Sequence, residues 1–137
     1  MEDFEIIDHT ADIGIVARGA DLKQAFATAA VALFSLIAEL EDVGEAISRD
    51  MEVTADDRES LLVEWLNELI YLFEVENIIF KRFEVTELSD TRLQARGYGE
   101  RMDASRHRLK GGVKAATYYM LKVDKDDGCR VQVILDV

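Results

Sequence analysis

The spacing of apolar residues changes period once along this chain, and that change limits the folds open to it. Leu22, Ala25, Phe26, Ala29, Ala30, Leu33, Phe34 and Ile37 recur at helical intervals, and Leu61, Leu62, Trp65, Leu66, Leu69, Ile70 and Phe73 do so again. From Ile78 onward the pattern is β-like, in four runs: Ile78 to Leu88, Arg92 to Glu100, Val113 to Val123 and Arg130 to Val137. Two earlier strand-like pieces, Phe4 to Ile7 and Ile13 to Arg18, flank the polar bend Asp8-His9-Thr10-Ala11-Asp12. Helices early and strands late predict an α+β fold, a two-layer sandwich in which two main helices pack on a largely antiparallel sheet.

The helix boundaries carry their own signals. Asp21 followed by Gln24 resembles a capping box, so the first helix is expected from about Leu22 to Ala38. Asp56 or Asp57 can cap the second, in which Trp65 reads as a core anchor. Between them, residues 39–59 hold nine acids and two bases, a solvated stretch with a short β-like piece from Met51 to Thr54. The turn Asp124-Lys125-Asp126-Asp127-Gly128 before the last run favours an antiparallel hairpin over a crossover. With 137 residues and no proline, the chain offers no linker, and a single domain over residues 1–137 is expected.

Charge narrows the function. Sixteen Lys and Arg against 28 Asp and Glu give a net charge of -12, which repels phosphate backbones and argues against free-standing nucleic-acid binding. Cys129 is the only cysteine, which excludes an internal disulfide and a cysteine zinc cluster and suits a reducing cytoplasm. No apolar run reaches membrane-spanning length and the opening residues are acidic, so neither a membrane span nor a secretory signal is expected. His9 and His107 have no serine or cysteine beside them in a nucleophile motif. Gly111-Gly112 lacks the lysine and hydroxyl residue of a P-loop, and the Asp124 to Gly128 turn lacks the spacing of an EF-hand.

Several side chains remain as candidates for chemistry. Asp8 and Asp12 offer hard oxygen ligands for a divalent cation, although aspartates in bends ordinarily accept hydrogen bonds from nearby amides. Alternation along the last run places Val131, Val133, Leu135 and Val137 on one face and Arg130, Gln132, Ile134 and Asp136 on the other. The Asp136 carboxylate thus points away from the valine-rich face. Residues 101–114 reverse the sign of the chain, with Arg101, Arg106, Arg108, Lys110 and Lys114 against Asp103 alone. Such a stretch meets an acidic partner or a phosphate, or is simply a solvated loop. Lys114 is expected on the same strand face as Ala116, Tyr118 and Met120, as an ion-pair partner or a snorkelling lysine.

Four ordered blocks carry a family resemblance over essentially the whole chain: Asp8-His9-Thr10-Ala11-Asp12, Leu61-Leu62-Val63-Glu64-Trp65-Leu66-Asn67-Glu68-Leu69, Val113-Lys114-Ala115-Ala116-Thr117-Tyr118 and Leu135-Asp136-Val137. Together they resemble archease. The resemblance implies a cytoplasmic accessory protein, not an enzyme, that activates the RtcB-type tRNA-splicing RNA ligase by promoting its guanylylation with GTP and its repeated turnover. The partner is the ligase, and tRNA is reached only through it. The resemblance also implies a divalent cation, calcium before magnesium or manganese, held by Asp12, Asp136 and the backbone oxygen of Val137. Lys114 and His107 match residues of the same functional face, with Asp8 and His9 secondary to them. Tyr119 departs from the family, since many relatives carry histidine there. A general chaperone or modulator of nucleic-acid-modifying enzymes, and a small metal-dependent hydrolase, are the alternative readings.

Overall fold

The computed structural model describes residues 4–8, 12–125 and 129–137. The elements run β1 (Phe4–Asp8), β2 (Asp12–Gly19), α1 (Leu22–Ile37), a short 3-10 turn (Leu40–Asp42), β3 (Ile47–Thr54), α2 (Arg58–Glu76), β4 (Ile78–Leu88), β5 (Arg92–Arg101), β6 (Ala115–Asp124) and β7 (Cys129–Asp136). The architecture is α+β, with two helices and antiparallel strands throughout. The strands divide between two sheets, ordered β1-β2-β7-β6 and β3-β5-β4.

Both helices begin where a side chain caps them. Asp21 Oδ1 accepts from the Gln24 amide at 2.8 Å, and Gln24 Oε1 in turn accepts from the Ala20 amide at 2.6 Å. That is a reciprocal box set one residue early. At α2 the choice between two aspartates falls on Asp57, whose Oδ1 accepts from the Ser60 amide at 2.7 Å. Helix α1 ends at Ile37, with Ala38 already extended, and α2 ends on Asn77 in the left-handed region at φ 57°.

Helix α1 packs against β2 of the first sheet and β4 of the second, while α2 packs against β6 and β3. Trp65 is fully buried and its indole N–H donates to the Phe26 carbonyl at 3.1 Å, which ties the two helices together. Around it, Phe34 meets Phe80 edge-on with ring centroids 5.7 Å apart, and Trp65 meets Phe83 edge-on at 5.6 Å. Two glycines of β5 make room for this cluster. A Cβ at Gly97 would lie 2.7 Å from the Phe80 ring, and one at Gly99 would lie 2.0 Å from the Ile79 carbonyl oxygen.

The acidic stretch after α1 holds more structure than its composition suggests. β3 starts at Ile47, four residues before the expected piece, and Val43 and Met51 are buried. Its outward side chains form a charged ladder with β5, Asp50 on Arg96 at 2.7 Å and Glu52 on Arg92. The opposite side of β3 meets the core, which composition alone does not reveal.

The strand β6 departs from simple alternation. Thr117 faces Ile134 and Lys122 faces Gln132, so residues 118–121 oppose a single residue of β7 and bulge outward. Met120 sits at φ 53°, its carbonyl held by Gln132 Nε2 at 2.9 Å, and Tyr118, Tyr119 and Met120 are exposed. Lys114 precedes the strand and is exposed, Ala116 is buried, and Tyr118 and Met120 lie exposed in the bulge, so the four do not form the expected shared strand face. The β6–β7 hairpin is antiparallel as expected, and residues 126–128 of its turn lie outside the described residues.

Candidate functional site

The last strand returns beside β2. β2 and β7 pair in a continuous antiparallel register from Gly19 opposite Cys129 to Asp12 opposite Asp136. Residues directly opposite in such a ladder point to the same side, with Cβ atoms roughly 5 Å apart. Val131, Val133 and Leu135 are fully buried on one face, so Asp12 and Asp136 share the other. The same register carries Gly14 opposite Ile134 two positions along, with β1 placing Ile7 beside Gly14. Ile134 is buried on this outer face, 3.2 Å from where a Gly14 Cβ would stand, so the carboxylate pair borders an apolar shelf.

Two like charges set directly opposite each other destabilise a sheet unless something compensates them. Hard oxygen donors of this kind suit a divalent cation, so the donor set of Asp12 and Asp136 fits one. Asp136 is also fixed through its backbone, since its carbonyl accepts from the Lys114 amide at 2.7 Å. Thus Lys114 meets the site through its main chain, and its side chain is exposed. Val137 follows directly and is exposed. Among the described residues, no group of three or more His, Cys, Asp and Glu side chains gathers in metal-binding fashion.

The other expected residues fall elsewhere. Asp8 pairs with Ile13, which faces Leu135 on the inner side, so alternation directs Asp8 away from the face that Asp12 and Asp136 share. His9 lies outside the described residues. His107 is not on an exposed face at all: its side chain is fully buried against Glu100. The Asp103 amide donates to His107 Nδ1 at 2.9 Å, which leaves Nε2 as the protonated nitrogen, 2.7 Å from Glu100 Oε1. Glu100 also accepts from the Gly44 amide at 2.9 Å and from Arg106 at 2.8 Å. The Gly44 amide above all, then His107 and Arg106, hold its carboxyl at about 2. Sequence reading missed Glu100, because Gly44 lies 56 residues upstream of it.

This buried cluster explains most of the basic stretch. Arg106 serves Glu100, Arg101 donates to the Glu76 carbonyl at the end of α2 at 2.9 Å, and Lys110 Nζ donates to the Ser35 carbonyl at the end of α1 at 2.8 Å. Cations at these carbonyl ends complement both helix dipoles. The Lys110 amide further bonds the Ile37 carbonyl, and Arg108 offers its carbonyl to the Glu39 amide. The reversal of sign is therefore largely scaffolding that carries the chain from β5 past α1 to Lys114. Asn67, on α2, is another residue the sequence did not single out: its Oδ1 accepts from the Ala116 amide at 2.8 Å and steadies the start of β6.

Comparison with known proteins agrees with this architecture. The model of the Archease protein family (MTH1598/TM1083) matches residues 4–137. Protein archease of Methanosarcina acetivorans is 39% identical, covering 98% of this chain and 95% of that protein, and protein archease of Pyrococcus abyssi is 38% identical over the whole of both. The solution structure of Methanobacterium thermoautotrophicum protein 1598 superimposes with a TM-score of 0.83 at 37% identity, covering 100% of each chain. The crystal structure of an archease from Thermotoga maritima, described as a possible chaperone, shares the fold with a TM-score of 0.62 at 20% identity over 97% of this chain and 96% of that one. On the strength of the family match and of relatives aligned along its full length, the chain belongs to the archease family.

Proposed function

We propose that the chain is a protein cofactor of the RtcB-type tRNA-splicing RNA ligase, working in the cytoplasm to promote ligase guanylylation with GTP and repeated turnover. On this reading it is not an enzyme, and it meets tRNA only through the ligase. The observation that supports the reading is the register that sets Asp12 opposite Asp136 on one outward face. The two carboxylates, with the backbone oxygen of Val137, would hold a divalent cation, calcium first and magnesium or manganese as alternatives. Bound there, the ion supplies charge compensation between the opposed carboxylates. Lys114 holds the Asp136 backbone through its amide.

The net charge of -12 suits a partner whose RNA channel is basic, since opposite fields speed encounter and fix orientation. The test is a ligation assay with the cognate ligase, GTP and substoichiometric amounts of this protein. Repeated ligase turnover and a rise in guanylylated ligase are expected. Single-turnover ligation with unchanged guanylylation would contradict the proposal.

A second reading takes its support from the description of the Thermotoga maritima structure as a possible chaperone. Under it, the chain modulates several nucleic-acid-modifying enzymes, and equal stimulation of enzymes unrelated to the ligase would favour it. A metal-dependent hydrolase would instead turn over phosphoesters with no ligase present.

A further inference from the structure

We propose that the free edge of β1, with the groove beside it, docks a basic extended segment of a partner protein by strand addition. Among the described residues the sheet edges are β1, β6, β3 and β4, and the last three are interrupted, covered or charged along their length. β6 is broken by its outward bulge and capped by the Asn67 side chain. β4 carries two register shifts, between Phe80 and Arg82 and between Val85 and Glu87. β3 turns Ser48, Asp50, Glu52 and Thr54 to solvent. Bulges, charges and covers of this kind keep edges from pairing with other chains.

β1 bears the acids Glu5 and Asp8, but among the described residues it has neither a register shift nor a covering side chain. Its free side carries the backbone groups that β2 does not use, and Ile6 and Ile7 are 39% and 41% exposed on its two faces. On the inner face a groove of about 370 Å³ opens between β1 and the end of α1, lined by Phe4, Ile6, Leu36 and Leu40. An added strand would gain main-chain hydrogen bonds along β1 and seat alternate apolar side chains in this groove.

Charge decides the occupant. The groove rim bears Glu39 and Glu41 against one lysine, Lys110, which lies 3.9 Å from Glu39 and donates to the Ser35 carbonyl, so the rim stays acidic by one charge. A second copy of this chain would bring its own net charge of -12, and the acids Glu5 and Asp8 of its β1, against that rim. A segment alternating basic and apolar residues meets the opposite sign on the rim and apolar carbon on the floor. The proposal goes beyond the ligase reading and rests on it only for the partner's identity.

The test is amide hydrogen exchange in β1, with two probes: a peptide alternating lysine and valine over the length of β1, and the RNA ligase. Both are expected to slow exchange at Phe4 to Ile7. Ile6→Lys and the surface change Glu41→Lys, each checked for an unaltered melting temperature, should weaken peptide and ligase binding about tenfold. A matched peptide with glutamate for lysine should leave exchange unchanged. The proposal is overturned if β1 exchange does not respond to the lysine peptide, if both peptides act equally, or if protection rises with protein concentration alone, as a second copy would produce. A ligase complex that leaves β1 unprotected also overturns it. Protection by the peptide with no ligase complex at all supports the dock and removes the ligase reading instead.

Discussion

A carboxylate gripped by several donors stabilises a fold only while it is ionised. Glu100 is such a group, held at about 2 against an ordinary value of 4.5 by the Gly44 amide, His107 and Arg106. Because the folded value lies below the unfolded one, the contribution is complete above about pH 4.5 and is lost as pH falls toward 2. Glu100→Gln should therefore be less stable at neutral pH and should lose part of the acid dependence of its urea midpoint in that window. Packing sets two further expectations. Gly99→Ala places a methyl group against the Ile79 carbonyl and should cost roughly 3 kcal/mol or abolish folding, read by urea denaturation. Trp65→Ala should cost about 3–5 kcal/mol by the same measurement. Trp65 was legible as core because its neighbours repeat at helical spacing. Glu100 was not, because its burial depends on a glycine amide delivered by a distant loop.

Strand register and helix ends explain what the chain's local patterns revealed and what they hid. Alternation along β7 sorted the valines from Asp136 correctly, and capping residues marked both helix starts, since these signals depend on near neighbours alone. The pairing of Asp12 with Asp136 depends on which strand lies beside β7, a long-range choice that the residues by themselves left open. The bulge in β6 was hidden because Tyr118, Tyr119 and Met120 read as ordinary strand residues; only the register across to β7 reveals three exposed side chains. The basic stretch read as a possible binding surface, yet Arg101 and Lys110 spend their charge on helix ends. Lys110→Met and Arg101→Met should each lower stability by about 0.3–1 kcal/mol in denaturant titrations, and Arg101→Met, which lies away from the β1 groove, should leave ligase stimulation intact. Loss of stimulation by Arg101→Met at unchanged stability would return that residue to a contact role.

Across the molecule, two sheets packed on two helices bring the start of β2 and the end of β7 side by side, where an acidic molecule gathers two more carboxylates face to face. Such an arrangement should respond to cations. Calcium is expected to raise the melting temperature of the wild type in a saturable way, because a ligand that binds only the folded state stabilises it. Asp12→Asn and Asp136→Asn should each remove that response, measured at matched ionic strength so that general screening of the net charge is held constant. Among the described residues, no helix is long and apolar enough to cross a membrane. The measurement closest to the central claim is multiple-turnover RNA ligation by the ligase with substoichiometric wild type, Asp12→Ala or Asp136→Ala, all shown to be folded by circular dichroism. The opposed carboxylates predict that the wild type sustains turnover and that both variants leave the ligase at a single round; full turnover with both variants would contradict them.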